Sequence, residues 1–134
     1  MVAHVHQGAI DVLGPVVNPQ TVHQSKFSMG TVLALIARQA APAWPNSTPA
    51  WTTPGVATFR GRVEMELDPE VDGAYPQRWI GKVTVYTRDG RKLHSRVDEP
   101  KGDPGNTLSR AEIEDKTLSL GRYAGAATEA ELRG

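Results

Sequence analysis

The sequence predicts an α+β fold, in which a small, mostly antiparallel sheet of about four strands packs with a buried helix and a C-terminal helix. Three observations predict it: runs of alternating apolar and polar residues, one long apolar run of helical length, and a well-capped polar segment near the C-terminus. With 134 residues, the chain is expected to form a single domain over residues 1–134, with little room for a second.

The first third of the chain predicts one strand and two helices. Residues 2–6 alternate and are β-branched, which is typical of a short strand. Residues 8–13 carry apolar side chains at helical positions until a Gly-Pro pair ends the pattern. The main helix is expected over about residues 23–39. Its second half, residues 32–36, is apolar on every side, which indicates a buried helix.

Residues 40–55 predict a surface loop, because their density of prolines excludes both a continuous helix and a central strand. Two tryptophans, Trp44 and Trp51, argue that this loop is ordered, since each can bury a large area. Thr53 and Pro54 suit the cap and first position of a short helix that follows.

The middle of the chain predicts the rest of the sheet. Residues 62–67 alternate strictly between apolar and charged, so one face of this strand is expected to be buried. Residues 79–87 and 93–97 predict two further strands. The Asp89-Gly90 pair between them favours a hairpin, since such pairs adopt the positive φ angles of a tight turn.

The C-terminal part predicts a loop followed by a helix. Residues 99–106 consist of loop-forming residue types. Ser109 and Glu112 have the spacing of a capping box, which predicts that a helix begins there. Gly125 is expected to end that helix.

Composition excludes several classes of partner. Lys plus Arg and Asp plus Glu both total 15, so the formal net charge is zero, which argues against a nucleic-acid or anionic-membrane binder. No apolar run approaches the ~20 residues of a membrane span, and the first 25 residues lack the Lys or Arg of a signal peptide. The absence of cysteine excludes disulfides and thiolate sites and fits a reducing compartment. A cytoplasmic protein is therefore expected.

Four histidines are the first candidates for chemistry. His4 and His6 lie two apart on a predicted strand, so both are expected on one face, where two imidazoles can share a metal if a third ligand joins them. The alternative, which we favour, is a solvated pair on an edge strand. His23 and His94 stand alone and are expected to be surface or capping residues.

The acidic residues Asp68, Glu70 and Asp72 alternate before a glycine, as in a calcium loop. A calcium loop requires Glu at its twelfth position, where this chain has Trp79, so the pattern fails. These residues are therefore interpreted as loop carboxylates.

An anion site is the best-supported binding site in the sequence. Lys26 and Ser28 are expected in the first turns of the main helix, where a lysine and free backbone donors favour a negatively charged ligand. Residues 101–106 offer a second anion cradle, although a rigid connection explains that loop better. No complete catalytic set of base, orienting partner and stabilising group is found.

Several strings together resemble one known family. Residues 23–30 (HQSKFSMG), followed by an apolar helix, resemble the KFS helix of the MmgE/PrpD family. Residues 83–91 and 99–109 (EPKGDPGNTLS) resemble the strand, hairpin and PKGDPxNPLS loop of that family, and residues 112–116 open the matching last helix. The order and spacing agree over nearly the whole chain.

The resemblance implies a fold and a chemistry. The family includes 2-methylcitrate dehydratase, cis-aconitate decarboxylase and iminodisuccinate epimerase, which remove or move a proton next to a carboxylate of a small polycarboxylate, with no obligatory metal, so no cofactor is expected. Members combine a large helical domain with a smaller α+β lid, and the active site lies between them. This chain resembles the lid alone. The acid and base residues of the family lie largely in the helical domain and just before the start of this sequence, so they are expected to be absent.

The resemblance also implies which residues bind substrate. The helix after the KFS motif faces the cleft, which implies Lys26, Ser28 and Thr31 as the substrate-binding residues of this chain and no catalytic residue. A tyrosine often stands where this chain has Thr31. That departure disfavours dehydratase or decarboxylase chemistry and leaves an epimerase-like or unknown specificity open.

Three hypotheses follow for the function. The first is a lid domain or small subunit that is inactive until it docks on a helical partner, which predicts an exposed apolar patch near Phe27, Met29 and Thr31. The second is a non-enzymatic binding module that stands alone or associates with itself through the same surface. The third is a non-functional gene remnant. An enzyme active by itself is disfavoured because the catalytic set is missing.

Overall fold

The computed structural model describes residues 1–38, 50–125, 127–128 and 130–131. Its contacts divide the chain into two units, Met1–Asp98 and Glu99–Gly134, and each is described by itself. The elements of the first unit are β1 (Val2–Val5), α1 (Gln7–Leu13), α2 (Val22–Lys26), α3 (Met29–Ala37), a 3-10 turn (Ala50–Thr52), α4 (Pro54–Arg60), β2 (Glu64–Leu67), α5 (Pro69–Ala74), β3 (Gly81–Tyr86) and β4 (Lys92–Val97). The second unit contains α6 (Arg110–Ala124).

The four strands form one mixed sheet in the order β2-β1-β3-β4. Strand β1 pairs in parallel with β2 and antiparallel with β3, and β3 forms an antiparallel hairpin with β4. The predicted α+β fold with a mostly antiparallel sheet of four strands is therefore confirmed. Because β1 lies inside the sheet, the expected edge position of His4 is wrong.

Among the described residues of the first unit, the buried apolar ones are few and mostly small: Val2, Ala3, Val5, Ala34, Val56, Val71 and Ile80. Val2 and Ala3 are neighbours on β1 and point to opposite faces of the sheet. Since both are buried, β1 is covered on both faces, and it is the strand around which the first unit is built.

The predicted helix over residues 23–39 is instead two helices, α2 and α3. They separate at Phe27 and Ser28, where Ser28 has the extended backbone of an N-cap (φ −118°, ψ 104°). A serine interrupts helices in this way because its side chain bonds the backbone donors of the next turn. The expectation that residues 32–36 are buried all round is also wrong: Ala34 is fully buried, but Ile36 is 67% exposed.

Part of the predicted proline-rich loop, residues 39–49 with Trp44, lies outside the described residues. The short helix expected after it is α4, with Thr53 as N-cap and Pro54 in its first turn. The segment after β2 was expected to be a loop, but residues 69–74 form α5, with Asp68 as its N-cap.

In the second unit, α6 begins and ends where the sequence predicts. The Ser109 backbone N–H donates to Glu112 Oε2 at 2.8 Å, the Glu112 N–H donates to Ser109 Oγ at 3.3 Å, and Gly125 ends the helix with a positive φ of 61°. Across the parts of the chain that the structure describes, no helix has both the length and the apolar character needed to cross a membrane.

The loop before α6 is closed by its own hydrogen bonds. The Gly102 N–H donates to the Asn106 carbonyl at 2.8 Å, and the Asn106 N–H donates to the Asp103 carbonyl at 2.9 Å. Lys101 Nζ lies 3.0 Å from Glu112 Oε1. Two backbone donors and the lysine of the proposed anion cradle are thus engaged within the unit, which agrees with a rigid connection.

Candidate functional site

The first turn of α3 is held by two hydroxyl side chains. Thr31 Oγ1 donates to Ser28 Oγ at 2.9 Å, and the Thr31 backbone N–H donates to the same oxygen at 3.4 Å. Both residues are enclosed, with Ser28 1% and Thr31 0% exposed. The pair therefore fixes the start of α3 from inside the protein.

Lys26 lies on a different helix from the other two residues of the expected binding set. It is the last residue of α2, and its side chain is exposed. A lysine in the last turn of a helix is favoured by the partial negative charge there. Lys26 is therefore close to Ser28 in sequence but exposed to solvent, whereas Ser28 and Thr31 are buried.

A pocket of about 280 Å³ opens at the start of α3. We call it the α3 pocket. Ser28 and Met29 line it, but Lys26 and Thr31 do not. Most of its walls are aliphatic or thioether side chains from α1, the segment after it, α3 and β2 with the residue before it: Ile10, Leu13, Val16, Val17, Met29, Val63 and Met65.

Arg60, the last residue of α4, also lines the α3 pocket. Its Nη2 donates to Asn18 Oδ1 at 2.7 Å. The side chain reaches the pocket because Gly30 leaves room for it: a Cβ on Gly30 would lie 3.0 Å from Arg60 Cγ and 3.2 Å from the Arg60 carbonyl oxygen. The sequence analysis did not identify Arg60. Its place beside Gly30, thirty positions away in sequence, depends on tertiary packing that no local pattern indicates.

The exposed apolar patch expected near Phe27, Met29 and Thr31 is only partly present. Phe27 is 40% exposed, but Thr31 is fully buried, so the patch does not include it. The other large exposed apolar residues of this segment are Val12, Val17 and Val22, each more than half exposed. Within residues 12–31, the large exposed apolar residues therefore lie ahead of α3.

His4 and His6 have different surroundings, whereas His4 and His94 contact the same hydroxyl group. His6 caps α1 and stacks on Tyr75 with ring centroids 4.0 Å apart, whereas His4 Nε2 lies 2.9 Å from Thr84 Oγ1. The same hydroxyl lies 3.2 Å from His94 Nδ1 on β4. His4 and His6 therefore share no site, and no group of three or more metal-binding side chains occurs within the described ranges.

The carboxylates after β2 belong to an ion-pair network on the sheet. Lys82 Nζ lies 2.9 Å from Asp68 Oδ2 and 2.5 Å from Glu70 Oε2. Arg96 bonds both oxygens of Glu70 and also pairs with Asp98 at 2.6 Å. Hydrogen bonds from Arg96, and then Lys82, lower the pKa of Glu70 to about 2. The interpretation of Asp68, Glu70 and Asp72 as loop carboxylates is therefore wrong. Asp68 caps α5, whereas Glu70 and Asp72 lie within it. Asp68 and Glu70 pair with residues of the sheet, and Asp72 Oδ1 accepts the Gln7 N–H at 2.8 Å.

Comparison with known proteins gives one family match. The family model of the MmgE/PrpD C-terminal domain matches residues 1–133. The match covers both units and includes Lys26, Ser28 and Thr31. No curated protein matches the chain.

Proposed function

The chain belongs to the MmgE/PrpD family as a C-terminal domain, and from this premise we propose that it is a lid domain or small subunit of a lyase or isomerase acting on small polycarboxylates. The single observation that carries the proposal is the match of residues 1–133 to a domain that the family places at the C-terminus. A C-terminal domain implies a preceding domain. The acid and base residues are proposed to come from that domain, so the chain alone is inactive.

The proposed substrate-binding set is Lys26, Ser28 and Thr31. Lys26 is the member that contacts a carboxylate, because its ammonium group is exposed and forms no ion pair with any residue the structure describes. Ser28 and Thr31 act as positioning residues, since their buried hydrogen bond fixes the first turn of α3 directly after Lys26. An exposed ammonium group can attract a carboxylate while both are still hydrated, so Lys26 can act before the lid docks.

The proposed docking surface consists of four exposed apolar residues of the α1–α2 segment and its end: Val12, Val17, Val22 and Phe27. Each is at least 40% exposed. Apolar surface of this kind gains free energy when a partner covers it. The partner is proposed to be a helical domain, on a separate chain or on a preceding part of the same protein, and the Lys26 end of α2 would then face the cleft.

The chemistry proposed for the assembled enzyme is movement of a proton next to a carboxylate. Lys26 holds the carboxylate. The positive charge of Lys26 also stabilises the negative charge that develops when the neighbouring carbon loses its proton. Thr31 supplies no phenol, so an epimerase-like or still unassigned specificity is proposed ahead of dehydration or decarboxylation. The cysteine-free composition supports a cytoplasmic location.

The test is co-purification of the tagged chain from its source lysate, followed by an assay of whatever binds. We expect a stoichiometric helix-rich protein of roughly 250 to 350 residues, and turnover of methylcitrate, cis-aconitate or iminodisuccinate only by the pair. Recovery of the chain alone, or only with itself, would favour the self-associating module. Turnover by the pure chain would contradict the proposed inactivity.

Two matched pairs of variants sharpen the test. Phe27→Glu should abolish capture of the partner, whereas Tyr86→Glu, at a residue that is 59% exposed on β3, should leave it intact. In the active pair, Lys26→Met should raise KM for the polycarboxylate, whereas Lys116→Met on α6 should not. Equal capture by the Phe27 and Tyr86 variants would contradict the proposed docking surface. Equal KM values for the Lys26 and Lys116 variants would contradict the proposed role of Lys26.

A further inference from the structure

The α3 pocket combines apolar walls with one cationic side chain. Seven of its lining residues are aliphatic or thioether side chains, and the pocket is contained within the first unit of the chain. A concave apolar site with a few polar groups is the usual form of a small-molecule site. Its volume of about 280 Å³ lies at the small end of that class, so the ligand that fits is short.

Arg60 supplies the charge of the pocket. Arg60 as a residue is half-buried, and the side-chain partner of its guanidinium is the neutral amide oxygen of Asn18, at 2.7 Å. Asn18 directly follows Val17, a wall residue, so this hydrogen bond holds the guanidinium beside the wall. No carboxylate pairs with Arg60 among the residues that the structure describes. A guanidinium has five donors in a planar fork, and within the described part of the chain Asn18 engages one nitrogen of Arg60, which leaves the other donors to a bidentate acceptor.

From these features we infer that the α3 pocket binds a short-chain aliphatic carboxylate. The carboxylate pairs with Arg60, and the aliphatic chain lies against Met29 and Met65. A single carboxylate is specified because the pocket offers one cation. The additional carboxylates of a polycarboxylate would face apolar walls without partners, which is strongly unfavourable. The two methionines suit chains of variable shape, because thioether side chains adapt readily.

This binding is independent of the proposed function. The pocket is formed by one unit of the chain, and Lys26, the residue proposed to contact a polycarboxylate, does not line it. Ser28 belongs to both the substrate-binding set and the pocket, and Val17 belongs to both the docking surface and the pocket. Failure to capture a helical partner would leave the pocket unaffected, and failure of the pocket to bind would leave the proposed lid intact.

The experiment is a titration of the pure chain with sodium hexanoate, followed through the methyl resonances of the methionines. Saturable shifts are expected at Met29 and Met65, with Met1 as the internal reference. Arg60→Gln should weaken the affinity about tenfold or more, the loss expected for a charge-assisted bidentate contact. Arg62→Gln, which removes an exposed arginine outside the lining, should not change it. Arg60→Lys keeps the charge and replaces Arg60→Gln in the test if the glutamine variant unfolds. The affinity of Arg60→Lys for hexanoate should lie between those of the parent chain and Arg60→Gln.

Two further probes separate the parts of the inference. Hexylamine has the same chain with the opposite charge, and tricarballylate has three carboxylates; both should bind at least tenfold more weakly than hexanoate. Hexanoate shifts that never saturate, or that are equal in the Arg60→Gln chain, would overturn the inference. So would equal binding of hexylamine, which would indicate apolar contact without charge recognition, or of tricarballylate, which would indicate a polycarboxylate site.

Discussion

Lys82 Nζ lies 2.9 Å from Asp68 Oδ2, while the other oxygen of the same carboxylate caps a helix. Asp68 Oδ1 accepts the backbone N–H groups of Glu70 at 2.9 Å and Val71 at 3.2 Å. The hydrogen bond from Lys82 and those two backbone donors lower the pKa of Asp68. One side chain therefore joins β3 to α5 and also begins α5.

The two tasks of Asp68 can be separated by substitution. Asp68→Asn keeps a good N-cap and loses the charge facing Lys82, whereas Asp68→Ala loses both. We expect the alanine variant to be less stable than the asparagine variant by about 1 kcal/mol, the usual contribution of a cap. Urea unfolding of the three chains measures both differences. Equal midpoints for the two variants would show that the cap contributes nothing.

Acid should weaken the network around Glu70. The pKa of Glu70 is about 2 in the folded chain against an ordinary value of 4.5, because Arg96 and then Lys82 bond its carboxylate. A lowered folded-state pKa stabilises the fold fully above pH 4.5, and that contribution is lost as the pH falls from 4.5 toward 2. The urea midpoint, measured from pH 6 to pH 2, should therefore fall across this window.

Two variants assign that pH dependence to Glu70. Glu70→Gln has no carboxylate to protonate, and Arg96→Gln removes the main cause of the lowered pKa. Both should therefore show a shallower fall of the urea midpoint between pH 4.5 and 2 than the parent chain. Part of the slope should remain, because the pKa of Glu112 is also about 2, owing to hydrogen bonds from Ser109 and then Lys101. Curves parallel to that of the parent would show that Glu70 is not responsible.

Local signals explain which parts of the fold could be predicted. The hairpin follows from Asp89-Gly90, where Gly90 has a φ of 84°, and the start of α6 follows from Ser109 and Glu112. These features are encoded within four residues. Helix α5 also carries a local signal, since Asp68 is followed directly by Pro69, the usual order of a cap and first position. The spacing of Asp68, Glu70 and Asp72 also resembles the start of a calcium loop, and that resemblance favours a loop over a helix here.

The parts that could not be predicted depend on distant contacts. Strand β1 pairs in parallel with β2, with Val2 opposite Glu64, and nothing near either residue specifies the other. The α3 pocket likewise depends on Arg60 reaching the start of α3. The burial of Thr31 also depends on distant contacts. A threonine is compatible with both a cleft and a core, so its residue type alone does not predict which of the two it occupies.

The close contact of α3 and α4 makes Gly30 a specific requirement. In Gly30→Ala the new methyl group would lie 3.2 Å from the Arg60 carbonyl oxygen, and relief requires a shift of α4 itself. We expect a loss of about 1–3 kcal/mol from overpacking. The matched control is Gly73→Ala in α5, where a Cβ meets nothing within 4 Å and the better helix former should add about 0.5–1 kcal/mol. Thermal unfolding of both chains measures the contrast, and a stabilised Gly30→Ala chain would contradict the packing described.

The buried hydroxyl pair at the start of α3 should behave as a coupled unit. Ser28→Ala removes the cap of α3 and leaves the Thr31 hydroxyl buried without its partner, so we expect a loss of about 2–4 kcal/mol. Thr31→Val keeps the shape and the cap and should cost less. In the double variant no hydroxyl is stranded, so its loss should be smaller than the sum of the two single losses. Thr21→Ala provides a matched control, because Thr21 caps α2 in the same way but is exposed, and it should cost no more than about 1 kcal/mol. Additive losses at Ser28 and Thr31, measured by urea unfolding, would mean that the two hydroxyls act separately.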